Sequence, residues 1–230
     1  MLALREVDSF YGRSQILHDL SLDAGTGQIV AILGRNGVGK TTLMRTIMGL
    51  TDRTHGSIRL GDVELTKHPT FERARAGIAY VPQGREIIPD FTVRENILMG
   101  AFARPGVPRR VPELVLELFP YLRDNMGKPG GLLSGGQQQQ LAIARALAAE
   151  PKVLLLDEPT EGIQPNVVEL IEDAIRKLNS ALGLTILLVE QNVAFARAAA
   201  HRFAMMVKGS VVATGPVEDL SDEVVGKHMM

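Results

Sequence analysis

Residues 34–41, Gly-Arg-Asn-Gly-Val-Gly-Lys-Thr, confine this chain to a small set of architectures. They match the pattern G-x-x-x-x-G-K-[ST] and stand between two segments of opposite character. Residues 28–33 before them are apolar and β-branched, as a buried strand is. Residues 40–48 after them read as a helix. Strand, glycine-rich loop and helix in this order form a phosphate loop. Its glycines let backbone N–H groups turn inward around phosphate oxygens, and the following helix points its positive end at them. Lys40 is placed to reach the β- and γ-phosphates, and the Thr41 hydroxyl to ligate Mg²⁺. Gly34, Arg35, Asn36, Gly37, Val38, Gly39, Lys40, Thr41 and Thr42 are therefore the candidate ATP contacts, with ATP and Mg²⁺ as cofactors.

A second motif supplies carboxylates. Residues 152–157 form a nearly continuous apolar run, as a central parallel strand does, and close on Asp157-Glu158. Asp157, at the tip of such a strand, is placed to hold the metal's water shell. Glu158, next in line, is placed to polarise an attacking water as general base. A third motif, Leu133-Ser134-Gly135-Gly136-Gln137, opens another helix. Ser134 is a good N-cap, the two glycines leave backbone N–H groups open, and the helix aims its dipole out through that opening. This is a second anion site on the same chain. If its helix lies on the far side of the sheet, something else must bring a phosphate to it.

Around these motifs strands alternate with helices. Residues 2–7 and 20–23 read as an antiparallel layer joined through Tyr11-Gly12, and residues 57–60 and 78–81 as further strands. Thr92 with Glu95 three positions on starts a helix, and from there to Glu150 the chain reads as mostly helical, interrupted at 127–131. Pro165 opens a helix with apolar residues at Val168, Ile171, Ile175, Leu178 and Leu182, closed by Gly183. Residues 185–189 predict a strand, 192–202 a helix, and 203–212 a strand pair turning at Gly209. The expected class is α/β: a P-loop NTPase core with a mainly parallel sheet, an antiparallel β layer and an inserted helical lobe. One domain spans 1–230, with core and β layer at about 1–84 and 151–230 and the lobe at about 85–150.

Composition removes competing chemistries. The 230 residues are 45% apolar and 22% charged, as in an ordinary folded protein. A formal net charge of −1 offers no global basic field for nucleic acid, and the basic stretch 104–110 is a short, proline-broken loop. No cysteine is present, so disulfide and thiolate chemistry are excluded. His18, His55, His68, His201 and His228 lack metal-ligand spacing. Apolar runs such as 186–189 are far shorter than the roughly 20 residues of a membrane span. The N-terminus also lacks the basic-then-apolar layout of a signal peptide. Any membrane role is expected to come through a partner.

Together the three motifs resemble those of the ATP-binding subunits of ABC transporters, a likeness running from about Leu2 to His228. The resemblance implies a head-to-tail dimer with a second ATPase subunit, sister chain or self. In it, Leu133, Ser134, Gly135, Gly136 and Gln137 contact the partner's ATP. It implies that Tyr11 stacks on adenine and that Gln83, after Val81-Pro82, senses Mg²⁺ and the attacking water. The segment from Gly84 to Asn96 would receive integral membrane permease subunits, with a solute-binding protein as an indirect partner. The expected location is cytoplasmic, peripheral on the inner face of the membrane. GRNGVGKTTL, VPQGREI, QQQQLAIARAL and DEPTEGIQP are similar to the branched-chain amino acid importer group, nearest its urea and short-amide members.

Two positions depart from the wider family. Gln164 replaces a frequent aspartate, and Gln191 stands where a histidine usually contacts the γ-phosphate. A glutamine amide donates a hydrogen bond there but carries no charge. The importer group often shows the same Glu-Gln pair, so Gln191 joins Glu158, Lys40 and Gln83 as the implied catalytic set. Two other readings are open. One is a soluble ABC-type ATPase of translation or DNA repair, although those carry two modules or a long coiled-coil insertion. The other is a nucleotide-gated subunit with weak hydrolysis, against which the intact Lys40 and Glu158 weigh.

Overall fold

The computed structural model describes residues 1–229. Strands β1 (Leu2–Tyr11) and β2 (Ser14–Ala24) form an antiparallel hairpin, and β3 (Ile29–Leu33) runs into the phosphate loop and helix α1 (Lys40–Met48). Strands β4 (Arg53–Leu60) and β5 (Val63–Glu64) return to the hairpin, giving a four-stranded antiparallel sheet of order β2-β1-β4-β5. Helix α2 (Thr70–Ala76) leads to β6 (Ile78–Val81). Helices α3 (Val93–Ala101), α4 (Glu113–Leu118), α5 (Pro120–Asp124) and α6 (Gly135–Leu147) follow before β7 (Val153–Asp157). The remainder alternates: α7 (Pro165–Leu182), β8 (Thr185–Glu190), α8 (Val193–Ala199), β9 (Arg202–Val207), β10 (Ser210–Pro216) and α9 (Asp222–Met229). The second sheet has order β10-β9-β3-β8-β7-β6. Every pair from β9 to β6 is parallel, and β10 closes one edge antiparallel to β9.

The near-continuous apolar runs of β3, β7 and β8 follow from burial on both faces. In β3, Ile29, Ala31 and Leu33 pack into a core with α3, α6, α7 and α8, whereas Val30 and Ile32 face α1 and the antiparallel sheet. Leu154 and Leu156 of β7 join the first core, and Val153 and Leu155 the second. Parallel pairing brings the carboxyl ends of β3, β7 and β8 together, with Leu33 opposite Glu190 and Asp157 opposite Val189. Open α/β sheets bind ligands at this edge.

Several expectations need correction. The helix read over 192–202 covers only Val193–Ala199, capped by the Asn192 side chain, which accepts from Phe195 N at 3.1 Å. Arg202 instead begins β9, opposite Val30. Within the mostly helical stretch from Thr92 to Glu150, the loop expected at 104–110 is longer than expected, with no helix over residues 102–112. The first strand runs four residues beyond Val7, to Tyr11, with Glu6 at a positive φ of 48°. Helices α2 and α9 and the short β5 carried no clear sequence signal. In α2, Arg73 is 2% exposed and donates to the carbonyls of Thr46, Ile47, Thr66 and His68. It thereby caps the carboxyl end of α1.

Helices α3 and α6 meet at Gly100, where an added Cβ would overlap the Arg145 carbonyl oxygen. Helix α3 cannot retreat without uncovering Val93, Ile97 and Ala101, all buried. Gly100→Ala is expected to destabilise the protein by about 1–3 kcal/mol through overpacking. Thermal unfolding reads this as a lowered Tm, and an unchanged Tm would mean the two helices separate freely.

Candidate active site

The phosphate loop leaves β3 at Leu33 and re-enters regular structure at Lys40. Gly39 precedes the helix at φ 106°, a conformation closed to residues with a Cβ. A Cβ at Gly34 would come within 2.5 Å of the Met206 carbonyl oxygen, so only glycine lets the loop pass β9. The turn after β9 steadies the loop, with Gly209 N donating to Val38 O at 2.8 Å. No side chain caps the start of α1, so its free N–H groups remain available to an anion. Arg35, Asn36 and Gly37 are exposed, whereas Val38, Thr41 and Thr42 are half-buried. Lys40 is 4% exposed and curls back over the loop, donating to Gly34 O at 2.8 Å and Arg35 O at 3.0 Å.

The acidic pair stands directly opposite. Asp157 is buried and accepts from Thr41 Oγ1 at 3.2 Å and from the Tyr80 hydroxyl at 3.1 Å. Burial pushes its carboxyl above the usual range, and those two hydroxyl bonds pull it back. Burial, followed by the Asp157 charge, raises the Tyr80 phenol and so keeps it a donor. Glu158 departs from the strand at φ 48° while its N–H still donates to Val189 O at 2.9 Å. This left-handed turn is an unusual backbone state for a glutamate and aims its carboxylate at the loop. There Glu158 Oε1 lies 3.3 Å from Lys40 Nζ and accepts from Gln191 Nε2 at 2.9 Å. Gln83 Nε2 reaches Glu158 Oε2 at 3.4 Å and Glu161 Oε2 at 2.8 Å.

Lys40 at the start of α1, Gln83 from the loop after β6 and Gln191 from the loop after β8 thus meet on one carboxylate. Two carboxylates accept from the Gln83 amide nitrogen, which turns its oxygen away from them. The Thr41 hydroxyl and the Asp157 carboxylate, hydrogen-bonded to each other, are hard oxygen donors of the kind that suits Mg²⁺. Among the described residues no three His, Cys, Asp or Glu side chains converge on a metal position, so a metal would rely on such donors with phosphate and water oxygens.

Tyr11 ends β1, half-buried, with the Arg45 guanidinium of α1 5.9 Å from its ring centroid. Residues 133–137 are held elsewhere. Ser134 and Gln137 form a capping box, with Gln137 Oε1 accepting from Ser134 N at 2.9 Å. A Cβ on Gly135 would lie 3.2 Å from Arg85 Nη1, and one on Gly136 would lie 2.8 Å from Val167 Cγ1. The two positions are thus lined by the loop after β6 and by the first turn of α7. Sequence reasoning missed Tyr80, Thr160, Glu161 and Glu190 as neighbours of the site.

The profile of the family described as ABC transporter matches residues 17–161, well over half of the chain. The chain belongs to the ABC transporter family. This ABC ATPase is 41% identical over 213 residues to the high-affinity branched-chain amino acid transport ATP-binding protein BraG of Pseudomonas aeruginosa. The match covers 92% of this chain and 91% of BraG. It is 39% identical over 222 residues to the probable branched-chain amino acid transport ATP-binding protein LivF of Archaeoglobus fulgidus, covering 96% of this chain and 94% of LivF. Among solved structures, a dimeric ATP-binding cassette in a post-hydrolysis state bound to ADP and Pi superposes with a TM-score of 0.81. That cassette is 28% identical and covers 94% of this chain and 99% of its own. The family explains the two-sheet cassette with helices inserted between β6 and β7. Among the described residues no helix is long and apolar enough to cross a membrane.

Proposed function

We propose that this ABC ATPase hydrolyses ATP to drive an importer of branched-chain amino acids, acting as one of two ATPase subunits beneath membrane permeases. The observation that carries the chemical reading is the meeting of Lys40, Gln83 and Gln191 on Glu158, next to the Thr41–Asp157 pair. The cargo reading rests on the names of BraG and LivF.

ATP would lie along the phosphate loop with its adenine near Tyr11. Lys40 holds the β- and γ-phosphate oxygens, and the backbone N–H groups of residues 34–42 fix them at the start of α1. Glu158 takes a proton from water as the water oxygen bonds to the γ-phosphorus and the bond to the β-phosphate oxygen breaks. Gln191 orients the carboxylate, and Gln83 holds its other oxygen. Thr41, Asp157 and Gln83 would hold Mg²⁺, which when bound neutralises charge building on the phosphate oxygens. Positioning and charge stabilisation supply most of the rate.

The segment of residues 133–137 completes the other subunit's site in a head-to-tail dimer, so ATP favours the closed pair by its differential affinity. Closure would act on the permeases through the surface from Gly84 to Asn96, at the inner membrane face, with a solute-binding protein delivering cargo outside. The test is ATPase activity of this chain reconstituted with its permeases. Stimulation by a binding protein loaded with leucine or isoleucine supports the reading. Stimulation by urea or short amides alone would move the cargo, and ATP-independent gel filtration as a monomer would remove the dimer.

A further inference from the structure

Beside the cluster on Glu158 lies a carboxylate that the proposed chemistry does not use. Glu190 ends β8 and is 3% exposed, between the phosphate-loop strand and β7. Its two oxygens are divided between two loops. Oε1 accepts from Thr160 N at 3.2 Å and Thr160 Oγ1 at 2.8 Å, in the loop that carries Glu158. Oε2 accepts from Gln191 N at 3.2 Å and Asn192 N at 3.4 Å, in the loop that carries Gln191. The two loops then meet again through their side chains, where Gln191 Nε2 donates to Glu158 Oε1 at 2.9 Å.

We propose that Glu190 is a positioning residue whose carboxylate clasps the Glu158 loop to the Gln191 loop and so sets the Gln191–Glu158 hydrogen bond. Only an acceptor with two equivalent oxygens satisfies four donors on two sides at once. Burying a charge is costly, and burial pushes this carboxyl upward while the Thr160, Asn192 and Gln191 bonds pull it back. A residue needed only to fill space at the end of a strand would be apolar. The inference rests on the roles proposed above for Glu158 and Gln191.

The test is Glu190→Gln in the full chain. The amide keeps the shape and one acceptor oxygen but turns an NH₂ group toward one loop, where N–H groups already point. ATP affinity by titration is expected to stay at the wild-type value, because Lys40 and residues 34–42 are untouched. The kcat is expected to fall roughly 10- to 100-fold, as small misplacements of reacting groups do. The discriminating readout is a double-mutant cycle. Gln191→Ala should cost clearly less in the Glu190→Gln background than alone, because the bond it removes is already misplaced. Unchanged kcat, or fully additive losses, would overturn the proposal. Should Glu190→Gln fail to fold, Thr160→Val removes one clasp donor and carries the same cycle with the same two outcomes. If Glu158→Gln hydrolyses ATP like the wild type, the underlying reading fails. If it is inactive while Glu190→Gln keeps full kcat, only the clasp fails.

Discussion

Glu158→Gln is expected to reduce steady-state ATP hydrolysis by about 10²- to 10⁴-fold, the usual contribution of a positioned general base. The substitution preserves shape, and glutamine tolerates the φ of 48° as poorly as glutamate does, so no new backbone strain arises. The Lys40 bonds to Gly34 O and Arg35 O remain, and so do the N–H groups at the start of α1. ATP binding should therefore survive while turnover does not. A protein that binds ATP without spending it should accumulate as the closed dimer, which gel filtration in the presence of ATP reads directly. Turnover within a few-fold of wild type would exclude Glu158 as the base.

Lys40→Ala is expected to act earlier, on binding. In the proposed chemistry Lys40 is the cation offered to phosphate oxygens, and in the structure it faces Glu158 at 3.3 Å. Truncating one member of a buried charge pair costs about 2–5 kcal/mol, much of it the penalty on the charge left behind. Applied to ATP, a loss of about 3 kcal/mol weakens binding roughly 100-fold. Titration calorimetry measures this. Lys40→Arg should not rescue it, because a planar guanidinium fork does not replace a compact ammonium within a narrow loop. Near-wild-type affinity in Lys40→Ala would place the phosphates elsewhere.

The phosphate loop and the acidic pair were legible in the sequence because each is a local pattern, with strand, turn and helix written into adjacent residues. The cassette and its inserted helices followed from the alternation of such segments. What escaped is non-local. Tyr80 lies 77 positions from Asp157, and inside an apolar strand its hydroxyl gave no hint of its acceptor. Thr160 and Glu190 lie 30 positions apart, and only parallel pairing of β7 with β8 brings them together. The overlong helix at 192–202 fails for a related reason. Its alanines favour helix, but pairing of Arg202 with Val30 at the edge of β3 overrides that local preference. The loop at 102–112 shows the converse, a Pro- and Gly-containing stretch too broken to propagate helix.

The central strands also bear on how such a chain tolerates sequence drift. Leu154 and Leu155 are neighbours in the chain, yet one packs with the inserted helices and the other with α1 and the antiparallel sheet. A change on the helical side leaves the nucleotide-gripping side packed, and the reverse holds. The sheet works as a bulkhead. The core on the inserted helices can be repacked while the core beneath α1 and the antiparallel sheet keeps its packing.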